Sequence, residues 1–368
     1  MSKRLKPADI ERVVVRGANW VGDAVMTVPA LRELRRVLPG AHLTLATRAW
    51  AEGVFAGADF VDDLMIIEED GRGVGAFFKQ VRQWRARPFD LAVLLPNALA
   101  PALVAFAARV PFRAGYATDG RGALLTHSFA VPGWRGRRHE VFYYLNVVAE
   151  LERALTGSTV IKLDDETEAA APSRSEVSVS AERLEAAREL LRARGVRFDR
   201  PVVALCPGST NSRAKRWPAE RFAALSDLLV EEAGAQVFLV GSAEELEVSR
   251  AVVTHARQPL NVLTGETGLA ETVALLGVCD LLVTNDTGPA HIAAALARPV
   301  VVIFGPTDPS TTRPFTDLSE LVRVPPECAP CMLRDCPIDH RCMTAVTPEM
   351  VYARARRLLG GGRGRRSA

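Results

Sequence analysis

Apolar residues recur with two periods along this chain of 368 residues. The clearest passage lies in the C-terminal third. A continuous apolar run at 281–284 stops at Asn285-Asp286-Thr287-Gly288-Pro289, helical spacing begins at Ala290, and a second apolar run fills 300–304 before the turn Gly305-Pro306-Thr307-Asp308. Run, polar turn, helix and run make a strand–helix–strand crossover. At its junction either Asp286 or Thr287 is suited to cap the helix, Pro289 fits its first turn, and Gly288 leaves backbone N–H groups open to approach. A helix end of this kind holds anions, diphosphates in particular, and His291 lies one turn inside it. An ordinary capped helix in an α/β sheet accounts for the same residues.

The rest of the chain repeats the alternation. Strands are predicted at 12–15, 42–46, 63–67 and 91–95, with helices at 24–38, 51–55, 74–85 and 100–109 between and after them. In the first helix Val25, Val28, Leu31, Leu34 and Leu38 share one face and Arg32, Arg35 and Arg36 the other, and Pro39-Gly40 stops it. Residues 120–136 read as loop and short strand. A helical pattern follows over 138–155 with His139 at its start, expected at the surface. Residues 162–177 are polar and poor in bulky apolar side chains, the composition of a linker. Beyond a helix at 181–194 the alternation resumes with strands at 202–206, 236–240 and 261–263 and helices at 218–233, 243–256 and 269–278. An amphipathic helix is expected at 349–359, and the Gly-Arg tail after it should be disordered. Strands alternating with helices give parallel sheets covered on both faces. The fold class expected is therefore α/β, with doubly wound domains at 1–170 and 171–348 facing across a cleft and a C-terminal helix and basic tail at 349–368. The length agrees, since single cores stop growing near ~250–300 residues.

Composition narrows the class. The chain is 48% hydrophobic and 24% charged, with a net charge of +3, too mild a balance to imply nucleic acid. Pro7, Asp9 and Glu11 interrupt the start, so no signal peptide is expected, and no run of ~18 uncharged apolar residues would span a bilayer. The expected location is cytoplasmic. Of six cysteines, four crowd into Cys328-x2-Cys331-x4-Cys336-x3-His340-x-Cys342. Zinc, redox-labile thiols and a packed loop all suit that spacing, which does not match the usual two-pair finger.

Three further stretches carry chemistry. Residues 207–218 follow a predicted strand and hold Gly208, Ser209, Thr210, Lys215 and Arg216, which makes them a phosphate cradle with Lys215 as the point charge or, failing that, a basic surface loop. The stretch lacks the G-K-[ST] ending of a Walker loop. Gly241-Ser242-Ala243-Glu244-Glu245 ends another strand on the same sheet edge, where a carboxylate would accept from ribose hydroxyls. The pattern does not choose between the two glutamates, and Glu244 is carried as the candidate. In the first half Gly22 and Asp23 follow the first strand, with Trp20 expected to shield the carboxylate in the interdomain cleft. There a carboxylate is either a general base toward a sugar hydroxyl or a helix N-terminal aspartate stabilised by the dipole.

The segments RGANWVGDAVMTVPAL (16–31), KRWP (215–218), NDTGPAHIAAAL (285–296) and FGPTDP (304–309), together with the cysteine-rich stretch, resemble the lipopolysaccharide heptosyltransferases of glycosyltransferase family 9. The Asn-Trp before Val-Gly-Asp and the cysteines resemble the branch that adds the second heptose. The resemblance implies a GT-B fold of two Rossmann-like domains and an ADP-heptose donor held mainly by the C-terminal domain. It also implies an acceptor, the heptosylated Kdo-lipid A core at the inner leaflet, held by the N-terminal one, and inversion by direct displacement. It makes Asp23 the general base, Lys215 the cation on the donor phosphates, and Asp286, Thr287, Gly288 and His291 the donor-binding helix end, with Ser209 or Thr210 in the phosphate loop. No Asp-x-Asp occurs in the chain, so no cofactor is expected to be required, and scattered N-domain arginines would suit a peripheral membrane contact. Rival readings are a family 9 transferase acting on another core acceptor, a dinucleotide-dependent oxidoreductase and a nucleotide-binding regulator without turnover. The oxidoreductase wants a G-x-G-x-x-G that neither Gly17–Gly22 nor the stretch from Gly208 supplies.

Overall fold

The computed structural model describes residues 6–67, 73–163 and 175–362. The chain divides into two compact units, Met1–Ser175 and Glu176–Ala368. In the first unit β1 (Arg12–Arg16), β2 (His42–Arg48), β3 (Asp63–Ile67), β4 (Leu91–Leu94), β5 (Phe112–Tyr116) and β6 (His127–Phe129) form a sheet in the order β3-β2-β1-β4-β5-β6. In the second, β7 (Val202–Cys206), β8 (Gln236–Leu239), β9 (Asn261–Val262), β10 (Leu281–Asn285), β11 (Val300–Ile303) and β12 (Ser319–Val322) run β12-β11-β10-β7-β8-β9. Every pairing in both sheets is parallel. Counted from its own first strand, each sheet has the same winding, and the direction reverses between β1 and β4 and between β7 and β10. Open α/β sheets receive ligands at such a reversal, outside the carboxyl ends of the strands.

The central strands read as uninterrupted apolar runs because helices cover both faces. Val13, Val14 and Val15 of β1 and Leu281, Leu282 and Val283 of β10 are fully buried. Two edge-side strands were not anticipated. β5 carries Arg113 and Gly115, and the glycine is needed there because a Cβ would stand 3.0 Å from the Leu94 carbonyl oxygen. β12 reads Ser-Glu-Leu-Val, too polar and short for a sequence pattern to mark.

The helix expected at 24–38 is two helices, Val21–Met26 and Val28–Val37, which meet at Thr27. Pro29 has no N–H to carry one hydrogen-bond ladder through that point, and the Thr27 hydroxyl instead donates to the Ala24 carbonyl at 2.6 Å. The first helix starts at Val21, so Asp23 lies in its first turn. His139, expected at the surface, is buried, and its ring accepts the Val141 N–H as the N-cap of the helix Glu140–Thr156. Arg138 beside it is also buried, lying over the Trp134 and Phe142 rings and donating to the Leu163 carbonyl. The final helix, Pro348–Gly362, sends Val351, Tyr352 and Ala355 into the core of the second unit with Trp217 and Met343. The expected linker falls mostly on 164–174 and the basic tail on 363–368, outside the described residues. No helix among the described residues is long and apolar enough to cross a membrane.

One ionic clasp organises the back of the first unit. The Glu152 carboxylate, buried on the long helix, accepts from both terminal nitrogens of Arg36 at 2.9 and 3.1 Å, from the Thr159 hydroxyl and from the Val160 N–H at 3.2 Å. Burial alone pushes this carboxyl up, yet the donors from Arg36, Thr159 and Val160 together outweigh it and hold the group below the ordinary glutamate range. A carboxyl depressed in the folded state stabilises above its unfolded pKa, ~4.3, and that contribution is lost as pH falls through the lowered native value. We predict that Glu152→Gln lowers the urea midpoint at pH 7 by an amount worth about 1–3 kcal/mol, and that the gap to wild type narrows below pH ~4. An unchanged midpoint at pH 7 would show the clasp to be energetically idle.

Candidate active site

In the second unit the site forms where β7 and β10 run side by side, with Thr284 opposite Cys206. Both strands end together, and Asn285, fully buried, ties the loop after β7 to the end of β10. Its amide donates to the Pro207 and Gly208 carbonyls at 2.8 and 3.2 Å, and its oxygen accepts the Trp217 N–H at 3.0 Å. Trp217 is itself locked by its indole N–H on the Val346 carbonyl at 3.0 Å. The loop therefore leaves the strand, turns through Arg213–Lys215 and re-enters the core at fixed points.

Lys215 stands at the tip of that turn. Its ammonium donates to the Asp286 carboxylate at 2.8 Å and to the Asp286 carbonyl at 3.1 Å. The same carboxylate oxygen accepts the Thr307 hydroxyl at 2.7 Å, from the turn after β11. Loops after β7, β10 and β11 thus converge on one buried carboxylate. The helix Gly288–Ala295 begins immediately beyond it, with Pro289 in its first turn. The expectation that an Asp286 or Thr287 side chain caps this helix is corrected. Thr287 is the N-cap in extended backbone without a side-chain cap bond, its hydroxyl lies 3.1 Å from that of Thr284, and Asp286 is committed to Lys215 and Thr307. Gly288 is partly exposed at the helix mouth and His291 is buried one turn in.

Ser209 is buried, and its carbonyl accepts two N–H groups of Arg216 at 3.1 and 3.0 Å. Thr210, exposed, donates to Glu245 at 3.2 Å. Of the two glutamates after β8, Glu244 is exposed, while Glu245 is buried with its other oxygen on the Ser242 N–H at 2.9 Å. A Cβ on Gly208 would stand 2.2 Å from the Glu245 carboxyl carbon and one on Gly241 2.9 Å from its oxygen, so both glycines admit that carboxylate beneath the loop. The pattern offered no means to rank the two, because which one turns inward depends on the short 3-10 turn Ala243–Glu245 that precedes the helix.

The cysteine-rich segment buttresses the same turn. The Arg334 carbonyl accepts the Ala214 N–H at 2.9 Å and the Ser212 hydroxyl at 3.1 Å, and the His340 ring lies 2.6 Å from the Ala214 carbonyl. Cys328 and Cys331 are exposed, Cys336 is half-buried and accepts the His340 N–H, and Cys342 is buried. Burial chiefly, then Cys336, Cys331 and Cys328, push the Cys342 thiol up. Among the described residues no group of three or more His, Cys, Asp or Glu side chains is arranged to hold a metal ion.

In the first unit, β1 ends in a loop stiffened by Arg16, buried and donating to the Gly17 carbonyl and to Asn19. Burial, and then Arg48, push this guanidinium down to about 10. Trp20 is 58% exposed, Gly22 is partly so, and Asp23 accepts the Tyr144 hydroxyl at 3.3 Å. Glu140, at the start of Tyr144's helix, is pushed up mainly by burial and further by Asp23, against Arg135. Tyr144 is raised well above the ordinary tyrosine range by burial first and then by Asp23. Sequence reasoning found Asp23 but not Glu140 or Tyr144, which come from a helix more than a hundred positions later and carry no motif of their own.

The structure brings Lys215, Asp286, Thr287, Gly288 and His291 to one strand-end crevice with Thr210 and Glu245 on its flank. A fixed cation beside a helix N-terminus has the chemistry to attract an anion. A match to glycosyltransferase family 9 (heptosyltransferase) covers residues 77–341. The chain is 29% identical over 320 residues to lipooligosaccharide heptosyltransferase 2 of Haemophilus influenzae, covering 85% of this chain and 88% of that one. The solved ADP-heptose lps heptosyltransferase II of E. coli superimposes with a TM-score of 0.79 at 25% identity over 96% of this chain and 100% of the other. A glycosyl transferase family 9 structure from Veillonella parvula reaches a TM-score of 0.80 at 22% identity over 97% of this chain and 98% of its own, which speaks for the fold. With its GT-B fold of two parallel six-stranded sheets, the chain belongs to glycosyltransferase family 9, the heptosyltransferases.

Proposed function

We propose that the protein transfers L-glycero-D-manno-heptose from ADP-heptose to the heptosyl-Kdo2-lipid A inner core of lipopolysaccharide, with inversion at the anomeric carbon. The observation that carries the donor half is the Lys215–Asp286–Thr307 constellation at the mouth of the Gly288–Ala295 helix. Two of the three ammonium donors of Lys215 go to Asp286, which leaves the third for a diphosphate oxygen. The names of the relatives, heptosyltransferase 2 in Haemophilus influenzae and heptosyltransferase II in E. coli, favour the second heptose.

In the proposed reaction an acceptor hydroxyl oxygen attacks the anomeric carbon as its bond to the β-phosphate oxygen breaks. The bonding pair leaves with ADP, whose new charge is met by Lys215 and the helix N–H groups. The hydroxyl proton passes to Asp23. His291 and Gly288 line the donor end in this reading, Ser209 and Thr210 belong to the phosphate loop, and Glu245 rather than the exposed Glu244 backs it. The acceptor is anchored in lipid, so the enzyme works as a peripheral visitor to a membrane surface.

A transfer to a different core acceptor is the alternative. With ADP-heptose and core lipids truncated at successive sugars, we expect turnover on the acceptor bearing one heptose. Turnover confined to the heptose-free acceptor would reject the second-heptose assignment. Asp23→Asn should retain ADP binding by calorimetry while transfer falls about 10²–10⁴-fold, and near-wild-type transfer would remove Asp23 as the base. Lys215→Ala should weaken ADP binding and reduce kcat by about 10²–10³-fold. An effect on KM for the acceptor alone would place Lys215 outside the donor site.

A further inference from the structure

Two neighbouring helices of the first unit, Val74–Arg85 and Leu99–Ala107, present an unusual outer face. The second reads Leu-Ala-Pro-Ala-Leu-Val-Ala-Phe-Ala and has no polar side chain at all, yet Leu99, Leu103 and Phe106, spaced on one stripe, are 44%, 40% and 50% exposed. A helix apolar on all sides is normally buried. On the first helix Val74 and Phe78 are 73% and 62% exposed, and the same stripe continues into Arg82 and Arg85. Isolated exposed apolar residues need no explanation, but five bulky ones on adjacent helices make a patch of the kind that marks an interaction surface.

Charge identifies the partner. Between residues 74 and 113 the sequence holds Lys79, Arg82, Arg85, Arg87, Arg109 and Arg113 against one acid, Asp90; Arg87 pairs with Asp63, and Arg85 and Arg113 also donate to the Ala107 and Leu124 carbonyls. Asp90 is spent on the backbone N–H groups of Glu11 and Arg12 at 2.9 and 2.8 Å. Beside the apolar stripe lies a hollow of about 440 Å³ lined by Arg85, Phe106, Ala107, Arg109, Val110, Pro111 and Arg113, in which the Arg113 guanidinium stands 5.4 Å from the Phe106 ring centre. Guanidinium groups surround an apolar floor there, so an anion attached to hydrocarbon fits both parts of the lining. A folded protein partner would need a complementary acidic and apolar face, whereas an anionic bilayer supplies both chemistries over any contact area.

We propose that this face seats the enzyme on an anionic lipid bilayer, with Phe78, Leu99, Leu103 and Phe106 entering the headgroup layer and the exposed Arg82 and Arg109 pairing with lipid phosphates. The proposal takes its purpose from the lipid-anchored acceptor of the proposed reaction, but its test does not depend on that reaction. Full-length protein is sedimented with vesicles of phosphatidylcholine alone or mixed with phosphatidylglycerol, at low and high salt. We expect binding to the mixed vesicles to exceed that to neutral ones by roughly tenfold or more and to weaken with salt. The apolar variant Leu103→Ser with Phe106→Ser and the charge variant Arg82→Glu with Arg109→Glu should each abolish it. Both should keep the wild-type melting temperature and transfer to an acceptor stripped of its acyl chains. Failure of wild type to bind mixed vesicles, equal binding to neutral ones, or undiminished binding by both variants would overturn the proposal. So would a wild-type dimer in sedimentation velocity that the apolar variant alone dissociates, which would assign the face to a second copy. Loss of transfer to the stripped acceptor in wild type would count against the proposed reaction and leave vesicle binding to be judged by itself.

Discussion

A carboxylate removed from water has to be paired, and the placement of Asp286 turns that requirement into a site. Its side chain is only 6% exposed, so an unpartnered charge there would cost several kcal/mol. Lys215 and Thr307 meet the need from two other loops, which fixes the ends of β7, β10 and β11 against one another. The ammonium is consequently in place before a ligand arrives. A lysine on a free loop would have to give up its rotamer entropy on binding, whereas one already held by Asp286 has given it up on folding. In the proposed reaction the aspartate acts indirectly, by aiming a cation rather than by touching phosphate.

Much of this was legible in the sequence because the strand-end loops keep their chemistry contiguous. Asn285 through His291 and Gly208 through Trp217 each stand on one loop, and a parallel sheet must bring the carboxyl ends of neighbouring strands to one edge. The partners that complete them were not legible for equally physical reasons. Thr307 looks like any turn threonine until β11 is placed beside β10. Glu245 is distinguished from Glu244 only by the turn that aims it beneath Gly208 and Gly241. Local pattern failed where tertiary packing overrode it, as at His139 and Arg138, polar residues buried by caps and aromatic faces. It failed again at β5 and β12, whose polar or glycine-bearing sequences are strands because a neighbouring strand offers its hydrogen bonds.

The two units share a winding but not the chemistry of their strand ends. In the second, the strand ends gather positive ends: an ammonium and the first turn of a helix. In the first, Asp23 follows the loop after β1, beside Glu140 of the long helix and the arginines Arg16 and Arg135. Glu140 is pushed up chiefly by burial, with Arg135 opposing and Asp23 adding to the shift. Two carboxylates within reach of each other do not both ionise cheaply. The Tyr144 hydroxyl donates to Asp23 at 3.3 Å and so ties the two elements together there.

The cysteine-rich segment fits the same logic of support. Its chemistry as four thiols and an imidazole invites a metal, but its hydrogen bonds run elsewhere. The His340 ring and the Arg334 carbonyl hold Ala214 by both its backbone groups, one residue before Lys215. On the other side Met343 and Cys342 press on Gly305, where a Cβ would stand 2.3 Å from the methionine sulfur, two residues before Thr307. The segment thus braces both loops that grip Asp286. The segment therefore fixes the cation from behind through backbone hydrogen bonds and packing, which gives a physical reason for a structured loop to lie there whether or not its thiols do any chemistry.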